Sequence, residues 1–216
     1  MQNCENGRSM IEMLGVLAVI GVLSVGGLAG YNKAMHQYKI NATMEQIGMI
    51  SSKLSSYGSG ADSYAGLSNK TAYKIRAIPA SALDDETTCQ GSGTDCSLSN
   101  PFGGTVTIKP SNIEKGKSDE QAYAIIYKGL TEEACISIGS STWFQSKGDT
   151  LLGMAVGKKG SAASVEASIA QDSCGTSSND YAAGCIGGED LPLDPMQTAT
   201  ACNCPGSDCE FIVKFF

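Results

Sequence analysis

The sequence predicts an α+β chain in which one long N-terminal helix, transmembrane at first and amphipathic beyond, packs on a disulfide-rich globular head with an antiparallel β-sheet and short helices. Three observations carry this reading. From Met13 to Asn32 no residue is charged, which is about the twenty residues a helix needs to cross a bilayer core. Beyond that run Ile40, Met44, Ile47, Leu54 and Tyr57 recur at three- to four-residue steps or their multiples, with Lys33, Lys39, Glu45 and Lys53 interspersed, the period of a helix with one apolar stripe. Glycine is abundant, 26 residues, and aromatics are few, which suits a turn-rich head of short strands and loops. A length of 216 residues allows one such head plus an appendage.

The helix comes first in chain order. A cleavable secretory signal has a basic start, a shorter apolar core and a small-x-small site; here the apolar run flows directly into the amphipathic pattern, so the anchor is expected to stay attached. From Met10 to Tyr57 it would be roughly 70 Å long at about 1.5 Å per residue. Gly15, Gly21, Gly26, Gly27 and Gly30 lower its helix propensity and permit close approach between helices. The serine- and glycine-rich run from Ser55 to Gly60 marks the break into the head, whose cover the apolar stripe beyond the membrane requires.

In the head a short helix is expected near Thr71–Ala77, stopped by Pro79. Strands are expected at Thr105–Lys109, Ala122–Tyr127 and Leu151–Val156. Thr131–Ile138 opens with Thr-Glu-Glu, in which threonine can cap free amides and the acids suit the positive end of the helix dipole. Ala162–Ala170 reads as a further helix. Phe211–Phe216 closes the chain as a strand that would tie the terminus into a sheet.

The formal charge of -7 is spread along the chain, so no basic face announces a nucleic-acid partner. Of nine cysteines, Cys4 precedes the helix, leaving eight: Cys89, Cys96, Cys135, Cys174, Cys185, Cys202, Cys204 and Cys209. An even set in an exported head reads as four disulfides. Short Gly/Ser/Asp-rich excursions favour Cys89 with Cys96 and Cys174 with Cys185, although eight cysteines allow on the order of a hundred pairings. A metal site, the rival, lacks C-x-x-C pairs, and the only histidine, His36, lies on the helix. No catalytic set is expected: one histidine outside the head serves no nucleophile there, no phosphate-cradling loop precedes a helix, and Asp84-Asp85 reads as a solvated turn. Neither cofactor nor metal is expected.

Immediately before the span stands Gly7-Arg8-Ser9-Met10-Ile11-Glu12, followed by Met-Leu-Gly-Val-Leu-Ala-Val-Ile-Gly. At this point the sequence resembles the type IV pilins and their type II secretion relatives, whose precursors carry a glycine, a few residues and a glutamate ahead of an apolar helix. The resemblance implies a leader peptide of residues 1–7, cleavage between Gly7 and Arg8 by a prepilin peptidase with N-methylation of the new terminus, a polymerisation helix over 8–57 and a head over 58–216. The chain departs from the family pattern in starting the mature form at Arg8 rather than Phe, Met or Leu, and in a leader without Lys or Arg. A carboxylate such as Glu12 at the edge of a hydrocarbon-buried helix is costly unless a cation reaches it. Cleavage creates an amine four residues upstream, and in a staggered array that amine can approach the glutamate of a neighbouring copy and set the register.

The resemblance narrows to the type IVb class, toxin-coregulated-type pilins in particular, through Asn100-Pro101-Phe102-Gly103-Gly104 ahead of a strand, the next strand at Ala122–Gly129, Leu130-Thr131-Glu132-Glu133-Ala134-Cys135 opening a helix, and a cysteine before a Phe-rich terminal strand. It implies that Cys135 pairs with one of Cys202, Cys204 or Cys209. It also implies a homopolymeric filament, a motor ATPase, an assembly platform and a secretin, with the subunit in the inner membrane before assembly and in an extracellular pilus afterwards. A minor pilin or type II secretion pseudopilin is a close alternative, distinguished by abundance in sheared surface protein. A tethered disulfide-rich binding module that never polymerises would tolerate loss of Glu12, and a tethered redox or metal protein would show reactive thiols or bound metal.

Overall fold

The computed structural model describes residues 10–58, 63–91, 96–147, 150–161, 166, 169–170, 178–185 and 191–216. It divides into two compact units, with the boundary between Lys39 and Ile40. In the first, the described residues are a single stretch of helix, the start of α1 (Met10–Gly58), long and apolar enough by length and composition to cross a membrane. Its leucines, valines and isoleucines are exposed within the chain.

The second unit is built on a sheet of six described strands: β1 (Leu98–Ser99), β2 (Thr105–Ser111), β3 (Ala122–Leu130), β4 (Leu151–Lys158), β5 (Tyr181–Cys185) and β6 (Cys209–Phe215), in the order β1-β2-β3-β6-β4-β5 with every pairing antiparallel. The last strand of the chain lies between β3 and β4, so Tyr123 faces Phe215 on one side and Leu151 faces Phe215 on the other. Pro110 fits in β2 because β1 covers only Thr105 and Val106, leaving the position on an edge where no amide donor is required. β3 and β6 are buried on both faces, and their period of two divides them cleanly. Tyr123, Ile125, Tyr127, Phe211, Val213 and Phe215 join the main core, whereas Ala124, Ile126 and Ile212 join a smaller cluster on the opposite face.

The second half of α1 packs on the main face. Ile40, Ile47, Ile50 and Leu54 are almost fully enclosed, each stabilising the head by about 2 kcal/mol. Polar groups expected on no stripe are buried beside them: Thr43, Gln46 and Ser51. The head reaches two of them, since Gln46 Nε2 donates to Ser99 O at 3.2 Å and Tyr123 Oη donates to the Ser51 backbone carbonyl at 3.1 Å; the Ser51 hydroxyl donates to Gly48 O within α1 at 3.2 Å, and Gln46 Oε1 has no hydrogen-bond partner among the described residues. Tyr57 stays 63% exposed, because it falls at the edge of the stripe in the last turn of α1.

Four short helices complete the described head: α2 (Asn69–Lys74), α3 (Glu86–Gln90), α4 (Glu132–Gly139) and α5 (Pro195–Ala201), with 3₁₀ turns at Ala80–Ala82 and Thr142–Lys147. α2 starts two residues earlier than Thr71, because the Ser68 side chain caps the Thr71 amide. It ends before Ala77, because Arg76 turns left-handed (φ 57°). The pair Asp84-Asp85 is a helix start rather than a free turn. Asp85 accepts from the Thr87 amide at 2.9 Å and its hydroxyl at 2.6 Å, which holds its carboxyl below the usual range. The helix expected over Ala162–Ala170 lies outside the described residues apart from Glu166, Ile169 and Ala170.

Candidate functional site: assembly helix and disulfide-bounded head surface

Glu12 stands in the first turn of α1, where the unsatisfied amides and the positive end of the macrodipole favour a carboxylate. Gly7 and Arg8 lie outside the described residues. Behind Glu12, a Cβ built on Gly15, Gly21, Gly26, Gly27 or Gly30 would meet nothing within 4 Å. Each glycine costs about 1 kcal/mol of helix propensity relative to alanine, and no contact among the described residues requires one. Ser24 is polar within this run, but its hydroxyl donates back to Ile20 O at 2.7 Å, which keeps it satisfied in an apolar surrounding.

The other expected site residues sit in the head. Cys89 at the end of α3 is bonded to Cys96, with Cα atoms 4.3 Å apart. Cys135 in α4 is bonded to Cys202, the C-cap of α5, across 5.8 Å between Cα atoms and 67 residues of chain. Cys204 is bonded to Cys209, five residues on, at the start of β6. Cys185 is buried at the end of β5, and Cys174 lies outside the described residues. The Cys135–Cys202 bridge joins α4 to α5 side by side: a Cβ on Gly139 would come 2.9 Å from Thr198 Cγ2, so the helices approach through a glycine. Caps place both ends. Thr131 Oγ1 accepts from the Ala134 amide at 3.3 Å, and Asp194 accepts from the Met196 and Gln197 amides at 2.8 and 3.0 Å with Pro195 at the first helical position.

Two asparagines organise the surrounding loops: Asn69, to which the sequence assigns no role, and Asn100, whose run ahead of a strand the sequence does signal. Asn69 Nδ2 donates to Cys96 O and Val106 O, both at 3.0 Å, and its Oδ1 accepts from the Ile108 amide at 2.7 Å. It thereby ties α2, the first disulfide and β2 together. Asn100 Nδ2 donates to Lys128 O at 2.7 Å, while its Oδ1 accepts from the amides of Phe102 and Gly104. The Asn-Pro-Phe-Gly-Gly signal was visible in the sequence, but its grip on β3 across 28 residues was not.

Residues 37–190 match the PilS N-terminal family. The chain belongs to that family. Over 198 residues, this PilS-family chain is 24% identical to the major structural subunit of bundle-forming pilus of Escherichia coli O111:H-, covering 92% of this chain and 88% of the relative. The subunit of the same description from E. coli O127:H6 is equally similar. The PilS-family fold is that of the type IVb pilins. The crystal structure of a type IVb pilin from Salmonella typhi superposes with a TM-score of 0.51 at 13% identity, over 80% of this chain and 97% of that one. TcpA, a type IV pilin of Vibrio cholerae El Tor biotype, superposes at 0.50 and 13% identity, over 83% and 98%.

Proposed function

We propose that this chain is the structural subunit of a type IVb pilus, cut between Gly7 and Arg8 by a prepilin peptidase, held in the inner membrane by the first part of α1, and polymerised through that helix into a surface filament. The observation that carries the reading is an apolar helix, uncovered by the described residues and studded with glycines that no contact among them requires, with one carboxylate, Glu12, in its first turn. A helix of this kind is completed by other helices: glycine lets their backbones approach, and the apolar side chains pass from lipid to neighbouring copies. The new amine of one copy would neutralise Glu12 of the next. A head-to-tail contact repeated in this way gives an open filament when its rotation does not close.

The relatives named as major structural subunits favour a major pilin over a minor one. The role is structural and not catalytic, with adhesion, aggregation or motility as its outcome and the surface between Cys135 and Cys202 displayed. A fourth bridge, Cys174 with Cys185, completes the disulfide set in this reading. Motor ATPase, platform and secretin are the expected assembly partners. Electron microscopy of sheared surface material from cells making the full chain, with N-terminal sequencing of the main band, tests the proposal. Filaments whose subunit starts at Arg8 are expected, and Glu12→Ala is expected to lower filament yield more than tenfold while the subunit remains in the membrane fraction. Undiminished filaments from the Glu12→Ala chain would refute the pairing.

A further inference from the structure

The sheet face opposite α1 holds charges as well as small apolar residues. Glu166, 9% exposed, accepts from Lys109 Nζ at 2.7 Å and from the Ser111 hydroxyl, both on β2. Three residues on, the Ile169 carbonyl accepts at 2.6 Å from the ammonium of Lys214 on β6, itself 2% exposed. The Ile169 side chain is fully buried against Ala124, Ile126, Ala155 and Ile212. A Cβ on Gly153 would come 2.7 Å from its Cγ2, so the glycine in β4 leaves the socket that Ile169 fills. Glu166 and Ile169 lie in the connection between β4 and β5, inside the loop closed by Cys135–Cys202.

The charges at this site depend on one another. Lys214 faces Glu166, Asp119, Cys185 and Lys109, and burial draws its ammonium below the usual lysine range. If Glu166 loses its charge, Lys109 and Lys214 remain as two neighbouring cations with Asp119 as the carboxylate left near them. A buried cation stripped of its counter-charge is strongly unfavourable, and Lys214 gains by moving to water and releasing the Ile169 carbonyl. One carboxylate thus controls both fastening points.

We propose that Glu166 and Ile169 form a charge-held clasp that closes the second face of the sheet, and that loss of the Glu166 charge opens this face while the strand ladder and the three described disulfides stay intact. The clasp is independent of filament assembly and can be read on the unassembled subunit. Hydrogen exchange followed by mass spectrometry on the full chain in detergent micelles tests it. In Glu166→Gln, the amides of Ile169 and Ala170 are expected to exchange at least tenfold faster, with β3 and β6 unchanged. Lys109→Met, which removes a side chain already 36% exposed, is expected to give the same pattern more weakly and serves if Glu166→Gln does not fold. Lys128→Met breaks a separate pair, with Glu210 at 3.7 Å, and is expected to leave the Ile169 and Ala170 amides unchanged. Unaltered exchange in both clasp variants overturns the proposal. So does acceleration spread evenly over β3 and β6, or an equal effect from Lys128→Met.

Discussion

Tyr127 is fully enclosed between β2 and β6, and its hydroxyl has no hydrogen-bond partner among the described residues. Its cross-strand neighbour Phe211 packs at 6.3 Å between ring centroids, so the ring belongs to the core while the oxygen contributes nothing. Replacement by phenylalanine keeps the ring and removes the cost of an unsatisfied buried group. Tyr127→Phe is therefore expected to raise unfolding stability by about 1 kcal/mol at neutral pH, measured by urea denaturation. Burial pushes the phenols of Tyr123 and Tyr127 far above the ordinary value. Both remain protonated in the folded head where an unfolded chain's tyrosines ionise, near pH ~10. The unfolded state then binds fewer protons, so the stability is fully present below pH ~10 and is lost as pH rises from there toward the raised folded values. Lys214 has the opposite sign. Its folded value is lowered, so its penalty is complete below that value and is relieved as pH rises toward ~10.4. Tyr127→Phe should flatten the alkaline loss, and an unchanged slope would show that Tyr127 is not its source. Nothing in the alternation of Ala122–Tyr127 tells that this hydroxyl ends in a dry place, because that depends on what packs above it.

Among the elements, turns and helix ends depend most on distant contacts. Asn100 holds the loop ahead of β2 to the bulge in β3, where Gly129 is left-handed (φ 72°) and register shifts between Lys128 and Leu130. A Cβ on Gly104 would collide with Lys128 O and come 2.9 Å from Gly129 Cα, contacts with backbone that no side-chain rotation relieves. Gly104→Ala is expected to cost at least about 3 kcal/mol, seen as a fall in Tm of the full chain. At the end of α2, the Ala77 amide bonds to Ala72 O and the Arg76 amide to Tyr73 O, both at 2.9 Å, the paired pattern that usually places glycine at the left-handed position. Arg76→Gly is expected to be neutral or to stabilise by about 0.5 kcal/mol, and a loss in urea unfolding would mean that the arginine side chain is itself needed. The strands with β-branched or aromatic alternation were legible from sequence. β5, Tyr-Ala-Ala-Gly-Cys, was not, because its residues are chosen to fit beneath β4, where a Cβ on Gly153 or Gly157 would strike β5 or the residue before it. α5 carried a readable signal in Asp194-Pro195, yet its seven residues are too few for periodicity.

For the molecule as a whole, covalent closure and the membrane-length apolar helix belong to different parts of the chain. Cys135–Cys202 closes 67 residues, and the chain-entropy argument assigns such a loop about 4 kcal/mol. Replacing both cysteines by serine is expected to lower head stability by that order in urea unfolding, while the apolar helix still partitions into membranes. No loss of stability would mean that the packing of α4 against α5 suffices alone. The membrane-length helix, its amphipathic continuation and the acid at its start could all be read in one dimension, because each depends only on the spacing of residue types along one helix. The α+β class was legible for the same reason, from a period near 3.6 giving way to a period of two. Three-dimensional packing settled which cysteine meets Cys135, where the last strand inserts, and why Gln46, Tyr123 and Lys214 are buried. Those outcomes depend on residues tens or hundreds of positions apart competing for the same space, and local propensity carries no information about which of them arrives there.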